Sequence, residues 1–167
     1  MSTPSWRSLA IQTLSCLAPT DRLSILGVGS ELRGDDAVGL EIAARLQSRL
    51  DSSTCQVIIA GASPENFTSL LRSFQPALVL LIDAAQMDEP PGTICWLTPQ
   101  EIAALPATTH ALPLNLLTQY LQNELSCQVA LIGIQPQYTE FQASLTPNIR
   151  LAAAEVVEEI VKMIVST

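Results

Sequence analysis

A short apolar strand, joined through glycines and paired acids to a helix, constrains this chain more than any other stretch. Residues 23–46 read LSILGVGSELRGDDAVGLEIAARL. Ser24–Val28 has the length and apolar character of a strand buried on both faces. Gly27, Gly29 and Gly34 allow backbone angles that other residues resist. Asp35 and Asp36 stand where a helix begins, and Val38, Ile42, Ala43, Leu46 and Leu50 share one face of it. Such a unit opens an α/β sheet, and those sheets carry their chemistry at the carboxyl ends of the strands.

The rest of the chain repeats the alternation. Thr54–Ala60 reads as a second strand, followed by a turn with Ser63 as N-cap and Pro64 at the first helical position. The helix that follows carries Phe67, Leu70, Leu71 and Phe74, and Pro76 ends it. Ala77–Ile82 is the third strand and stops at Asp83. Residues 84–92 are too few to hold a crossover helix, so the next strand, Thr93–Leu97, is expected to run antiparallel to the third. Thr98-Pro99-Gln100-Glu101 matches a capping box. Pro113 opens a helix bearing Leu114, Leu117, Leu121 and Leu125, which leads into a fifth strand, Gln128–Ile134. After a polar loop, 135–145, Thr146 caps a last helix whose Ile149, Ala152, Ala153, Val156, Val157, Ile160, Val161 and Ile164 form one stripe. The expected fold is a three-layer α/β/α sandwich with a mostly parallel five-stranded sheet and one antiparallel strand. Residues 1–22, with Trp6 and Arg7, read as an N-terminal extension, either an extra helix or a loosely packed arm. Residues 23–167 read as a single α/β domain.

Composition narrows the function classes. Hydrophobic residues make up 48% and charged residues 14%, so most elements are covered rather than solvated. No apolar run reaches the roughly 18 residues of a membrane helix. The net charge is −8, with no basic patch to neutralise phosphates, which argues against nucleic acid as a partner. The acidity suits a cation or a basic peptide, and serves solubility equally well. Cys16, Cys55, Cys95 and Cys127 are far apart and form no C-x-x-C pair. They read as reduced thiols, three of them in the core, which points to the cytoplasm. The first 22 residues lack the basic start and long apolar stretch of a signal peptide.

Three polar residues can meet at one edge. Asp36 follows strand 1 and Asp83 ends strand 3. The helix from Pro113 feeds strand 5, so its N-terminus, just after His110, returns to the same edge if that strand is parallel. Two carboxylates and an imidazole suit a divalent metal such as zinc or nickel, with positions left open for water or substrate. Each residue also has a plain reading. An aspartate at a helix N-terminus gains about 0.3–1 kcal/mol from the dipole, and a lone histidine can sit on a surface. Asp83 at the end of an apolar strand is harder to dismiss, because burying a charge is costly.

Other motifs fail. The third glycine of a G-x-G-x-x-G loop would fall at Leu32, and the two aspartates would repel a pyrophosphate. No Gly-Lys-Ser or Gly-Lys-Thr follows the loop, Asp83 precedes Ala84-Ala85 rather than the Thr/Ser-Gly of aspartic proteases, and G-x-S-x-G and H-E-x-x-H are absent.

The segments GVGSELRGDDAVG (27–39), GASPEN (61–66), LLIDAAQMDEPPG (80–92), TTHALPLNLL (108–117) and LIGIQPQ (131–137) resemble the [NiFe]-hydrogenase maturation endopeptidases, most closely the hydrogenase 3 type. The resemblance is collinear over residues 22–165. It implies an α/β sandwich around a twisted five-stranded sheet. It also implies an endopeptidase that removes a short C-terminal extension from the hydrogenase large-subunit precursor after nickel insertion. By the same resemblance Asp36, Asp83 and His110 contact nickel carried by the precursor, another divalent metal can replace it in the isolated protein, and loops 84–92 and 135–145 flank the cleft. The metal either polarises the scissile carbonyl or activates water, or it serves recognition only, with Asp36 or its neighbour as general base. Two departures stand out: Ser30 where the family usually has asparagine, and Ala37 where it commonly has glycine. Neither removes a metal ligand. The rival readings are a non-catalytic nickel-sensing chaperone of the large subunit and a nucleotide-binding α/β enzyme.

Overall fold

Side chains on successive strand residues point to opposite faces, and that alternation layers this molecule. The computed structural model describes residues 4–50, 53–106, 112–141 and 143–166. Five strands, β1 (Leu23–Val28), β2 (Cys55–Gly61), β3 (Leu78–Ala84), β4 (Ile94–Leu97) and β5 (Gln128–Ile134), form one sheet in the order β2-β1-β3-β5-β4. All neighbours are parallel except β4, which is antiparallel to β5. On β3, Leu78, Leu80 and Ile82 face one core while Val79 and Leu81 face the other; on β5, Ala130, Ile132 and Ile134 part from Val129 and Leu131 in the same way. Strands apolar on both faces need helices on both faces.

The first face is covered by α1 (Trp6–Ser15), α2 (Val38–Gln47) and α6 (Pro147–Val165). Ile42 and Leu46 of α2 and the stripe Ile149, Ala152, Ala153, Val156, Val157 and Ile160 of α6 are buried there. The second face carries α3 (Thr68–Phe74), α4 (Pro99–Ala103) and α5 (Leu114–Leu125), through Leu71, Ile102, Leu114, Leu117 and Leu121. Residues 6–15 are a true helix, and α1 belongs to the first core: Trp6 and Ala10 are buried, and the Trp6 indole N–H donates to Glu155 at 3.1 Å. Arg7 pairs with Glu155 and Glu159, but these partly exposed pairs add little beside the buried ring.

α2 lies unusually close to the sheet. A Cβ on Gly39 would stand 2.2 Å from the Ile82 carbonyl oxygen and 2.3 Å from that of Val28. The glycines of the opening stretch therefore serve backbone packing rather than a phosphate. The capping box Thr98–Glu101 forms as expected. No helix among the described residues is long and apolar enough to cross a membrane.

Several expectations change. β4 runs in the expected direction, but its neighbour is β5, not β3. β5 returns through α5 parallel to β3 and is apolar on both faces, so it takes the inner place and leaves the short β4 at the edge. Asp83 is a residue of β3, in register with Gly133. The residues Gly34–Ala37 form a 3₁₀ turn, and α2 begins only at Val38. Ser63 makes no side-chain cap, and a second 3₁₀ turn, Pro64–Phe67, precedes α3, leaving Leu70 exposed. All four cysteines are free, yet only Cys127 is buried; Cys55 and Cys95 are half-buried and Cys16 is exposed. Burial pushes the Cys55 thiol up to about 11.

Candidate active site

In the strand order β2-β1-β3, the chain leaves β1 first to one side and then to the other, so the carboxyl ends of β1 and β3 form a switch point where α/β proteins bind ligands. Asp36 and Asp83 both stand there. After β1, Gly29 adopts φ +140°, and a Cβ on it would meet the Asp36 carbonyl oxygen at 1.9 Å and the Asp83 Oδ1 at 3.7 Å. The two acids thus border one glycine, Asp36 through its backbone carbonyl, packed where a side chain would stand, and Asp83 through its carboxylate.

The acids differ in setting. Asp83 is 1% exposed and continues the odd-numbered face of β3, the face covered by α3, α4 and α5. Asp36 is half-buried, and its Oδ2 accepts the Ser30 N–H at 3.0 Å. Ser30 supplies this bond from its backbone, so the serine replacing the family's asparagine leaves the bond intact. Ala37 has φ −80°, so this position needs no glycine.

His110 lies outside the described residues, as does the rest of 107–111. The element that follows it is described: α5 starts at Leu114 after Pro113 and leads into parallel β5, so its first turn stands at the carboxyl edge, on the face that Asp83 continues. Among the described residues no three His, Cys, Asp or Glu side chains are grouped to hold a metal ion. The two described members of the expected trio are therefore brought together, and the third is not among the residues that can be placed.

Two buried polar side chains hold the loops around the site: Gln135, which the sequence did not mark, and Asp35, whose burial excludes it as the neighbouring general base. Asp35 is 0% exposed. Its Oδ2 accepts the N–H groups of Gln137 at 2.9 Å and Tyr138 at 2.8 Å, and its Oδ1 accepts the Thr146 N–H at 2.7 Å. The Thr146 hydroxyl also donates to this carboxylate, at 3.1 and 3.0 Å to its two oxygens, instead of capping α6. Gln135 is 4% exposed. Its Oε1 accepts the Met87 N–H at 2.7 Å and the Glu89 N–H at 3.3 Å, while its Nε2 donates to Gln86 Oε1 at 2.8 Å. Gln135 fixes the loop after Asp83, and Asp35 fixes the loop after β5. A polar residue wedged between Ile134 and Pro136 at the end of an apolar strand is the one sequence signal that could have marked Gln135.

The second of these loops presents exposed Tyr138 and Phe141 beside the site. A hydrogen bond with the Glu140 carboxylate raises the Tyr138 phenol above its ordinary value, so it stays neutral at neutral pH. Carboxylates at one sheet edge can accept a proton from water or ligate a cation.

Comparison with known proteins gives a consistent outcome. The family model HycI, described as hydrogenase maturation protease, matches residues 40–163. The hydrogenase 3 maturation protease of Escherichia coli strain K12 is 32% identical over 137 residues, 81% of this chain and 86% of that protein. The crystal structure of a [NiFe] hydrogenase maturation protease HycI from Thermococcus kodakarensis KOD1 superposes with a TM-score of 0.82 at 26% identity, covering 91% of this chain and 97% of the other. The solution structure of an endopeptidase HycI from Escherichia coli gives a TM-score of 0.73 at 32% identity, over 82% and 87% of the two chains.

Proposed function

From the premise that the chain belongs to the hydrogenase maturation proteases, we propose that it removes the C-terminal extension of a [NiFe]-hydrogenase large-subunit precursor after nickel has been inserted. In this reading the nickel arrives with the precursor, as part of the substrate. Asp36, Asp83 and His110 complete its coordination, two oxygen donors and one nitrogen donor that suit a borderline divalent ion. Another divalent ion can take the same donors in the isolated protein. Bound nickel supplies Lewis acidity towards the scissile carbonyl and a check that metal insertion is complete.

The chain's own residues do the rest. Asp36 is half-buried and keeps one carboxylate oxygen clear of its Ser30 bond, so it can take a proton from the attacking water as general base. Asp83 presents a fixed carboxylate from inside the sheet. The loops after β3 and β5 border the cleft that receives the precursor's chain. We place the reaction in the cytoplasm, where the four free thiols stay reduced.

The observation that supports this reading is that Asp36, through its backbone, and Asp83, through its carboxylate, both border Gly29 at the β1–β3 switch point. The test is incubation with nickel-loaded and nickel-free precursor, followed by mass spectrometry of the intact subunit. Loss of a C-terminal fragment only from the nickel-loaded form is expected. A precursor that keeps its full mass while forming a stable complex would make this a nickel-sensing chaperone instead.

A further inference from the structure

We infer that Asp35 is a positioning residue for Asp36: its buried carboxylate ties the 3₁₀ turn that carries Asp36 to the loop between β5 and α6. The role in catalysis rests on the function proposed above; the structural part does not.

The partners of Asp35 are all donors: the N–H groups of Gln137, Tyr138 and Thr146 and the Thr146 hydroxyl. No arginine or lysine is among them, so the charge is met by oriented dipoles. The Asp35 N–H in turn donates to the Tyr138 carbonyl at 2.8 Å, so backbone and side chain bind the same segment. Gly34 presses against it as well, with the Tyr138 carbonyl oxygen 2.5 Å from where its Cβ would stand. With 0% exposure, Asp35 touches no substrate. Asp36 is the next residue in the same turn and reaches back to the Ser30 N–H. Any shift of the turn away from the β5–α6 loop moves the Asp36 carboxylate relative to Asp83. A 1 Å misplacement of such a group is enough to slow a reaction strongly.

Asn in place of Asp35 is nearly isosteric but can accept on only one of its two side-chain atoms. Its NH₂ then faces either the Gln137 and Tyr138 N–H pair or the Thr146 N–H, donor against donor. Thr146→Val removes only the hydroxyl, and Thr146→Ser restores it.

The experiment uses the full chain, at a temperature where circular dichroism shows every variant folded, with two readouts: precursor cleavage kinetics and amide hydrogen exchange. For Asp35→Asn the expected result is a kcat lower by about 10- to 100-fold with KM within about 3-fold, the range seen when groups that orient a ligand are lost. Thr146→Val falls between that variant and the wild type, and Thr146→Ser stays within about 3-fold of the wild type. Exchange at the Gln137, Tyr138, Thr146 and Ser30 amides quickens in Asp35→Asn by at least about 10-fold. The Ser30 amide is the reporter of Asp36 and needs no substrate. If that amide is unchanged in a folded Asp35→Asn, the positioning role is overturned whatever the activity; wild-type kcat in that variant overturns it too. If the wild type cleaves nothing while the Ser30 amide still quickens in the variant, the lock stands and the proposed reaction is what fails.

Discussion

The carboxyl edge of the sheet is secured twice, by the same device in two chemistries. On the β1 side, the charged Asp35 gathers N–H groups from a segment more than 100 residues away. On the β3 side, the neutral Gln135 gathers those of Met87 and Glu89, in the loop directly after Asp83. A carboxylate only accepts, and charge-assisted bonds are roughly twice as strong as neutral ones. An amide both accepts and donates, which lets Gln135 hold Gln86 as well. The difference fits what each lock must carry. Asp83 is already fixed within β3 by its pairing with Gly133 of β5, so its loop needs only a trim. Asp36 sits in a 3₁₀ turn outside the sheet and depends on the stronger clamp.

The comparison can be broken outright at the glycine beneath the β1 side. Gly39→Val places a side chain against two backbone carbonyls that cannot yield, and a loss of about 3 kcal/mol or more is expected in urea unfolding. Next come the donors themselves. Asp83→Asn and His110→Ala are expected to fold with near wild-type midpoints yet lose processing by at least about 100-fold, read by mass spectrometry of the precursor. Wild-type processing by both would remove the metal trio from the reading.

Gln135→Leu sharpens the contrast between the locks. It leaves the Met87 and Glu89 N–H groups without their acceptor, for a loss of about 1–3 kcal/mol in urea unfolding. Its kcat should fall less than that of Asp35→Asn, because Asp83 keeps its place in β3 and its pairing with β5. An equal or larger fall would show that the β3 side carries the catalytic geometry.

The smallest effect is expected from the thiols, which neither lock uses. At pH 8 exposed Cys16 should take up iodoacetamide first, with processing unchanged. Cys55, pushed up to about 11, holds its proton at that pH, and its labelling should quicken as pH rises towards 11, because the thiolate is the reactive form. Peptide mapping checks the order.

Much of this architecture was legible because it is local. The continuous apolar runs of the strands and the stripe on α6 are written within single segments, and both cores follow from them. The shared edge position of Asp36 and Asp83 was legible because strand ends in parallel sheets fall on one edge. The clamp role of Asp35 was not, since an acid at a helix start already has a sufficient explanation in the dipole, and its partners are distant in sequence. The neighbour of β4 was not legible either. Antiparallel direction follows from the short connection, but the place in the sheet depends on β5, which comes later in the chain and fits the inner position better.

Thr146 spends its hydroxyl on Asp35, a residue made 111 positions earlier. Synthesis runs from the N-terminus, so β1 and both aspartates leave the ribosome long before their clamp exists. Until the segment around Thr146 has emerged, the turn bearing Asp36 has nothing to close against. A nascent chain therefore holds the acids of a protease without this clamp, and acquires it only once the segment leading into its last helix has emerged.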